Sequence, residues 1–213
     1  MKIAIILVSE SSLPVAKALQ QEFPESRIYA KHDLDGCVRV GRYEDVLMPC
    51  FNASAPIVFI GAMGICVRAI SPWICDKHTD SAVVCVDGTG RYAIPVVSGH
   101  VGGANDLARQ VASVLGAEAV ITTRSDNESL WPLDTIGREF GWDTCAENMN
   151  ACIAHFVNRK PTALLLGVKD KGAEFLERTS PEHVDVFVHF EDIPQEKYGL
   201  IINVSPFVYE TSL

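Results

Sequence analysis

The residues best suited to chemistry lie in a glycine-rich stretch, Ser98–Asn105. It separates an apolar run, Tyr92–Val97, from an amphipathic run that begins at Ala104. Glycines let main-chain N–H groups approach a ligand, and the helix N-terminus that follows adds a partial positive charge. The stretch predicts an anion-binding turn, and the alternative is a plain strand-to-helix connection. Its candidate ligand-binding residues are Ser98, Gly99, Gly102, Gly103 and Asn105.

His100 lies in the middle of this turn, and an imidazole can accept or donate a proton near neutral pH. We expect it at the carboxyl ends of the strands, where open α/β sheets bind ligands. His100 is therefore the leading acid–base candidate, and the alternative is an imidazole that only hydrogen-bonds a backbone carbonyl. A serine nucleophile at Ser98 is disfavoured, because the sequence around it is not G-x-S-x-G.

A second glycine turn, Gly61–Gly64, repeats the strand-to-helix pattern, and Arg68 lies one helical turn further on. Because both turns follow strands and open helices, we expect them side by side at one edge of the sheet, where they would share an anionic ligand. The alternative is a tight turn beside a solvated arginine. A lone G-x-x-G is weak support for a dinucleotide. The candidate binding residues here are Gly61, Ala62, Gly64 and Arg68.

Two polar segments, Lys77–Asp80 and Thr122–Asp126, either line a cleft or are ordinary solvated loops. In the second segment, Thr122 and Thr123 are candidate ligand-binding residues.

Composition restricts the class of protein and its partners. The net charge of −9 argues against binding to nucleic acid or to an anionic membrane, so any anion must be held locally. No apolar run approaches the roughly 20 residues of a spanning helix, and the start of the chain is not typical of a signal peptide, so we expect a cytoplasmic protein. The seven cysteines form no C-x-x-C pair, so we expect reduced core thiols and no structural metal site.

The element pattern predicts two α/β domains, residues 1–126 and residues 127–213. The first is expected to be a three-layer domain with a mixed, mostly parallel sheet. Ala82–Val86 and Tyr92–Val97 flank a turn sequence, Asp87–Gly90, that predicts an antiparallel hairpin. A further strand is expected at Ala119–Thr123, and the next residues have the composition of a domain boundary. The second domain is expected to be smaller.

Four motifs occur in order and carry a family resemblance: Gly61–Arg68, Asp76–Val84, Ser98–Ala108 and Ala119–Thr123. At these spacings the sequence resembles the cobalamin biosynthesis protein G family, the cobalt-precorrin-5A hydrolases. The resemblance covers the family's N-terminal domain, and the segment from Ser125 to about Val208 is similar to its middle domain. A third, C-terminal domain of the family has no counterpart in this sequence.

The resemblance implies a hydrolase of anaerobic cobalamin biosynthesis. Such an enzyme opens the δ-lactone of cobalt-precorrin 5A and releases acetaldehyde to give cobalt-precorrin 5B. On this hypothesis His100 is the base, the N–H groups of Gly102 and Gly103 are the oxyanion donors, and Asn105 or Thr123 positions the lactone. If His100 is not the base, Asp106 and Asp126 are the candidate catalytic carboxylates. Cobalt arrives inside the tetrapyrrole macrocycle, so no other cofactor is implied.

Two other functions stay open. One is a non-catalytic module that binds a corrinoid intermediate and acts with a separate C-terminal-domain subunit; the other is an unrelated α/β enzyme that binds a phosphate or a nucleotide. The protein partners considered are a C-terminal-domain protein, another corrin-pathway enzyme and a second copy of the chain.

Overall fold

The computed structural model describes residues 1–205 and the main chain of residues 208–212. The chain divides into two compact units, Met1–Ile121 and Thr122–Leu213. This division precedes the boundary expected after Asp126.

Strands and helices alternate through most of the first unit, as is typical of an open α/β sheet. Its elements are β1 (Ala4–Leu7), α1 (Leu13–Glu22), β2 (Arg27–Ala30), β3 (Val38–Arg39), α2 (Glu44–Asn52), β4 (Ile57–Ile60), α3 (Met63–Ile70), β5 (Val83–Val86), β6 (Tyr92–Val97), α4 (Ala104–Leu115) and β7 (Glu118–Ala119), with short 3-10 helices at Glu10–Ser12 and Ser71–Trp73.

The seven strands form one mixed sheet in the order β3-β2-β1-β4-β5-β6-β7. Strands β1 to β5 run parallel to one another, whereas β6 pairs antiparallel with β5 and β7 pairs parallel with β6. The predicted α/β class, the mostly parallel sheet and the β5–β6 hairpin are therefore confirmed.

Helices cover both faces of this sheet. Leu7 and Ile60 belong to a core that includes residues of α1 and α4, and Ile6 and Phe59 belong to a core that includes residues of α2 and α3. Because both faces are covered, β1, β4 and β5 are buried at every position, and their sequences are continuous apolar runs. The three-layer arrangement is confirmed.

The direction of β6 decides which side of the sheet each glycine turn occupies. We call the side where β1, β2, β4 and β5 begin the amino edge, and the side where they end the carboxyl edge. Gly61 follows β4 and donates its N–H to the carbonyl oxygen of Val86, the last residue of β5, at 2.8 Å, so its turn lies at the carboxyl edge. Ser98 follows Val97, which pairs with Val83 at the start of β5, so the His100 turn lies at the amino edge.

The prediction that the two turns lie side by side is therefore wrong. The hairpin reverses the chain between β5 and β6, and a strand of four residues is about 13 Å long. His100 likewise lies at the carboxyl end of β6 but not at the carboxyl ends of the parallel strands.

The second unit has its own sheet, in the order β10-β9-β11-β12-β8, and its own apolar core around Phe156, Leu164 and Ile202. Its elements are α5 (Arg124–Asn127), α6 (Ile136–Phe140), β8 (Asp143–Ala146), α7 (Met149–Val157), β9 (Thr162–Leu166), α8 (Lys171–Arg178), β10 (Val184–Phe187), β11 (Leu200–Ser205) and β12 (Val208–Ser212), with 3-10 helices at Phe190–Asp192 and Gln195–Lys197.

Some elements differ from the sequence-based expectation. The strand expected at Ala119–Thr123 is only Glu118–Ala119, and the expected boundary segment contains the short helix α5. Arg124 and Arg159 both form ion pairs with Glu128, which stabilises this segment. All seven cysteines are free thiols, but only Cys50, Cys66, Cys85 and Cys152 are buried.

Candidate functional site

The His100 turn is closed by hydrogen bonds between its own main-chain groups. Ser98 adopts a left-handed conformation with φ 57°, and its carbonyl oxygen accepts the N–H of Ala104 at 3.0 Å. The carbonyl oxygen of Gly99 accepts the N–H of Asn105, also at 3.0 Å. The turn therefore enters α4 in a fixed conformation.

Each glycine of the turn has a structural reason. A Cβ atom at Gly102 would lie 2.5 Å from the Cβ of Ser98, and one at Gly99 would lie 2.9 Å from Oδ1 of Asn105. Gly103 has open space around it but a φ of 82°, a conformation that favours glycine. The fold accounts for these glycines without a ligand, so the glycines alone do not show that the turn binds one.

The hydrogen bonds narrow the choice of oxyanion donor. The N–H of Gly103 donates to the carbonyl oxygen of His100 at 3.0 Å, so the hypothesis that it donates to a substrate oxygen is wrong for this conformation. Within the residues that the structure describes, the N–H of Gly102 donates to no acceptor. Of the two glycines in the hypothesis, Gly102 is thus the one whose N–H could donate to a substrate oxygen.

Asp80 connects the polar loop before β5 to the His100 turn. Its carboxylate is buried and accepts the main-chain N–H groups of Cys75 and Asp76 at 2.9 and 3.1 Å. Its carbonyl oxygen accepts the hydroxyl of Ser98 at 3.0 Å. The structure therefore brings together the Lys77–Asp80 segment and the His100 turn, which sequence reasoning left as separate sites.

The other predicted residues near the turn differ in exposure. His100 is partly exposed, whereas Asn105 is buried next to Gly99. Asp106 has a side chain that is 78% exposed and forms an ion pair with Arg109 at 2.8 Å. An exposed carboxylate paired with an arginine is typical of a solvated helix surface.

The Gly61 turn forms a second surface, at the carboxyl edge. Gly61 packs on Val8, since a Cβ atom at Gly61 would lie 2.8 Å from Cγ2 of Val8. Ala62 is the N-cap of α3, and the guanidinium of Arg68 folds back to 3.6 Å from the Cβ position of Gly64. Arg68 and the helix N-terminus therefore place positive charge on one exposed surface.

A pair of buried thiols lies below this turn. Cys85 donates its thiol to the carbonyl oxygen of Gly61 at 3.5 Å. The pKa of Cys66 is raised above its ordinary value by its hydrogen bond with Cys85 and by burial. Cys66 therefore stays a neutral thiol at physiological pH.

The remaining predicted residues belong to the second unit. Thr123 is the N-cap of α5 and donates its hydroxyl to Oδ2 of Asp126 at 2.6 Å, and Thr122, just before it, is exposed. The binding and catalytic roles of these three residues stay predictions.

The described residues contain neither a membrane-spanning helix nor a cluster of metal-binding side chains. No helix there is long and apolar enough to cross a membrane. No group of three or more histidine, cysteine, aspartate or glutamate side chains there is arranged to hold a metal ion.

Two family models match the chain. The one described as Cobalamin synthesis G N-terminal matches residues 45–126, and the one described as Cobalamin biosynthesis central region matches residues 131–212. The chain belongs to the cobalamin biosynthesis protein G family. The N-terminal match of this family includes both glycine turns and the Asp80 loop.

Individual relatives agree with this membership. A cobalt-precorrin-5A hydrolase of Priestia megaterium is 32% identical over 198 residues, which are 86% of this chain and 52% of the relative. A cobalt-precorrin-5A hydrolase of Salmonella typhimurium is 43% identical over 96 residues, which are 45% of this chain and 27% of the relative. The matches thus span about half of one curated relative and about a quarter of the other.

A solved structure, that of a cobalamin biosynthesis protein G homolog from Sulfolobus solfataricus, is also similar. The alignment covers 99% of this chain and 60% of that chain, with a TM-score of 0.46 and 19% sequence identity.

Proposed function

We propose that this chain carries the lactone-opening part of a cobalt-precorrin-5A hydrolase. The pair of family matches is the observation that carries this proposal, since two relatives of this chain bear that name. In this reaction water opens the δ-lactone of cobalt-precorrin 5A, and a bridge carbon with its methyl group leaves as acetaldehyde. Cobalt is carried by the macrocycle as part of the substrate, and the proposal includes no other cofactor.

The His100 turn supplies groups of the kind that this reaction needs. Attack of water on the lactone carbonyl requires a base for the proton and a donor for the oxygen that becomes negative. We assign the base to His100 and the donor to the N–H of Gly102. Cleavage of the acyl C–O bond leaves a hydroxyl group on the bridge carbon, and His100 returns the proton to that oxygen.

The second half of the reaction breaks a carbon–carbon bond. When the new hydroxyl group loses its proton, its oxygen forms the carbonyl of acetaldehyde. The electron pair of the broken carbon–carbon bond stays with the macrocycle, which takes up a proton. One imidazole that alternates between base and acid can serve both halves.

The topology limits which cations assist at this site. Arg68 and the N-terminus of α3 lie at the carboxyl edge, away from His100, so the proposed lactone site does not include them. Carboxylate arms of a substrate held at His100 must meet cations at the amino edge.

A second candidate is a module that binds a corrinoid intermediate without catalysis and acts with a separate C-terminal-domain subunit. The matches span 52% of one curated relative and 27% of the other, which leaves this candidate open.

An acetaldehyde assay distinguishes the two candidates. The purified chain is incubated with cobalt-precorrin 5A, with and without an added C-terminal-domain protein of the family. Release of acetaldehyde by the chain alone supports the hydrolase. Release only after the second protein is added, and unchanged when His100 is replaced by alanine, supports the binding module. No release under either condition from a preparation that still binds the substrate contradicts the hydrolase proposal.

A further inference from the structure

A pocket of about 260 Å³ opens at the amino edge, between the sheet and the end of α2. This volume is a little below the range typical of sites for drug-sized ligands, so the pocket fits a small molecule or one arm of a larger molecule. Its lining residues are Lys2, Ile3, Ala4, Arg27, Tyr29, Pro49, Cys50, Ala53 and Ala55.

The strand register places the cations of this pocket on one face of the sheet. Ala4 pairs with Arg27 in the parallel β1–β2 ladder, and side chains alternate between faces with a period of two. Ala4 packs in the core beside α2, so Lys2 and Arg27 project to that same face. The two positive side chains therefore flank one opening.

These cations have no acidic counterpart. None of the lining residues is an aspartate or a glutamate. Among the residues that the structure describes, neither Lys2 nor Arg27 forms an ion pair. In a chain with a net charge of −9, an opening with two unpaired cations is a local exception.

Apart from the Tyr29 side chain, the rest of the lining is apolar or already hydrogen-bonded. The carbonyl oxygens of Pro49 and Cys50 at the end of α2 accept the N–H groups of Ala53 and Ala55, and that of Cys50 also accepts the Ser81 hydroxyl at 2.9 Å. Burial raises the pKa of the Cys50 thiol, so it adds no negative charge. Small alanine side chains leave the space open.

The geometry points to a binding site for an organic carboxylate, with the anionic group at Lys2 and Arg27 and the apolar body against Ala4, Pro49 and Ala53. An arginine can hold a carboxylate through two parallel hydrogen bonds, and a lysine adds a point charge. The carboxylate could belong to a free small acid or to a side arm of a tetrapyrrole.

The pocket shares the amino edge with the His100 turn. One hydrogen bond joins Ser81 to Cys50 in the pocket wall, and another joins Ser98 to Asp80, the residue before Ser81. Three strand spacings, about 14 Å, separate β1 from β6. The tetrapyrrole arm as the source of the carboxylate rests on the proposed function, whereas carboxylate binding itself does not.

The test uses benzoate as the probe and the full chain as the protein, in an NMR titration. We expect a Kd on the order of 1 mM, because the ligand is small and its charged end is exposed. The double variant Lys2→Gln/Arg27→Gln should bind benzoate at least about tenfold more weakly, since charge-assisted hydrogen bonds are lost. Ala53→Leu, which fills the apolar part, should also weaken binding.

Matched controls test where benzoate binds and whether its binding requires a negative charge. Arg39→Gln removes an exposed cation from the neighbouring strand β3 and should leave benzoate binding unchanged. Benzyl alcohol, a neutral analogue, should bind the wild-type chain more weakly than benzoate. Equal binding of benzoate by the wild-type chain and the double variant, or equal affinity for benzyl alcohol, would overturn the site.

A porphyrin with acetate and propionate arms distinguishes the two sources of the carboxylate. Competition with benzoate that depends on Lys2 and Arg27 supports a tetrapyrrole arm, and benzoate binding without competition supports a free small acid. Benzoate binding in a chain that releases no acetaldehyde retains the pocket and counts only against the proposed function.

Discussion

At the scale of single residues, Asp80 shows how one buried carboxylate holds two loops in place. No cation is needed beside it, because main-chain N–H groups of Cys75 and Asp76 donate to its oxygens. A charge held in this way costs less to bury than an unpaired one. Its own carbonyl oxygen accepts the hydroxyl of Ser98, so the conformation of the His100 turn depends on a residue outside that turn.

Replacement of His100 tests the assigned base. His100→Ala should keep substrate binding within roughly tenfold and lower the rate of acetaldehyde release by about 10²-fold or more, because a general base contributes that much. His100→Gln keeps hydrogen bonding without basicity and should be almost as slow. The exposed His189 of the second unit offers a matched control, since His189→Ala removes an imidazole elsewhere. Unchanged turnover in both His100 variants would redirect the search to Asp106 and Asp126.

Alanine substitutions at Gly102 and Gly103 should lower the free energy of unfolding by different amounts. Gly102→Ala places a Cβ atom 2.5 Å from that of Ser98, so we expect a loss of about 2 kcal/mol or more in the free energy of unfolding. The Cβ atom added by Gly103→Ala has no neighbour, so only the left-handed φ should lower the free energy of unfolding, by about 1 kcal/mol. Urea denaturation measures both values. The reverse order would show that the turn relaxes around Gly102.

At the scale of elements, the hairpin shows what a local sequence pattern predicts about the fold and what it leaves undetermined. Asp87–Gly90 between two apolar runs predicts an antiparallel pair, and the structure confirms it. That reversal already implies that Ser98 returns to the edge where β5 begins. The hairpin combined with the parallel order of β4 and β5 separates the two glycine turns, whereas the strand-to-helix pattern that both turns share does not.

Some elements of the second unit are not predicted from the sequence pattern, and the reasons are physical. Strand β8 is short and polar and lies at the edge of its sheet beside β12, and its sequence shows no apolar alternation. Helix α8 did carry a signal, because Asp170 caps it by accepting the N–H of Ala173. The contact of Asp80 with Ser98 joins residues 18 apart in the chain, and no local pattern reports such a pair.

The hairpin should contribute to the acid sensitivity of the first unit. Burial tends to raise the pKa of Asp87, but hydrogen bonds from Thr89, Tyr92 and Arg91 outweigh it and hold this pKa below the usual value. A carboxylate with a lowered folded-state pKa stabilises the fold above the unfolded-state value of about 3.9, and that contribution is lost as the pH falls through the folded-state pKa.

We therefore expect Asp87→Asn to be less stable than the wild-type chain at pH 6, with a difference that shrinks below about pH 4. Urea unfolding at a series of pH values measures this difference. Asp33→Asn, outside the hairpin, controls for removal of a negative charge. A difference that stays constant down to pH 2.5 would show that the hydrogen bonds do not depend on the charge of Asp87.

At the scale of the whole molecule, the net negative charge repels an anionic ligand, whereas local cations attract it. The chain carries 27 acidic and 18 basic residues, a net charge of −9, so its long-range field repels a polycarboxylate. Binding must then come from short-range contacts, such as the unpaired cations of the pocket at the amino edge. Such contacts act only after the ligand has crossed the repulsive region.

This arrangement predicts an unusual salt dependence of the association rate. The Debye length falls from about 30 Å at 0.01 M salt to about 8 Å at 0.15 M, so salt screens the long-range repulsion first. The association rate constant of a porphyrin with acetate and propionate arms should therefore rise several-fold over this range, as measured by stopped-flow fluorescence. The methyl ester of the same porphyrin, which carries no charged arms, is the control and should show little change. A fall in the rate with salt would mean that a local positive field already dominates during the encounter, and that the net charge of the chain does not control the approach of the ligand.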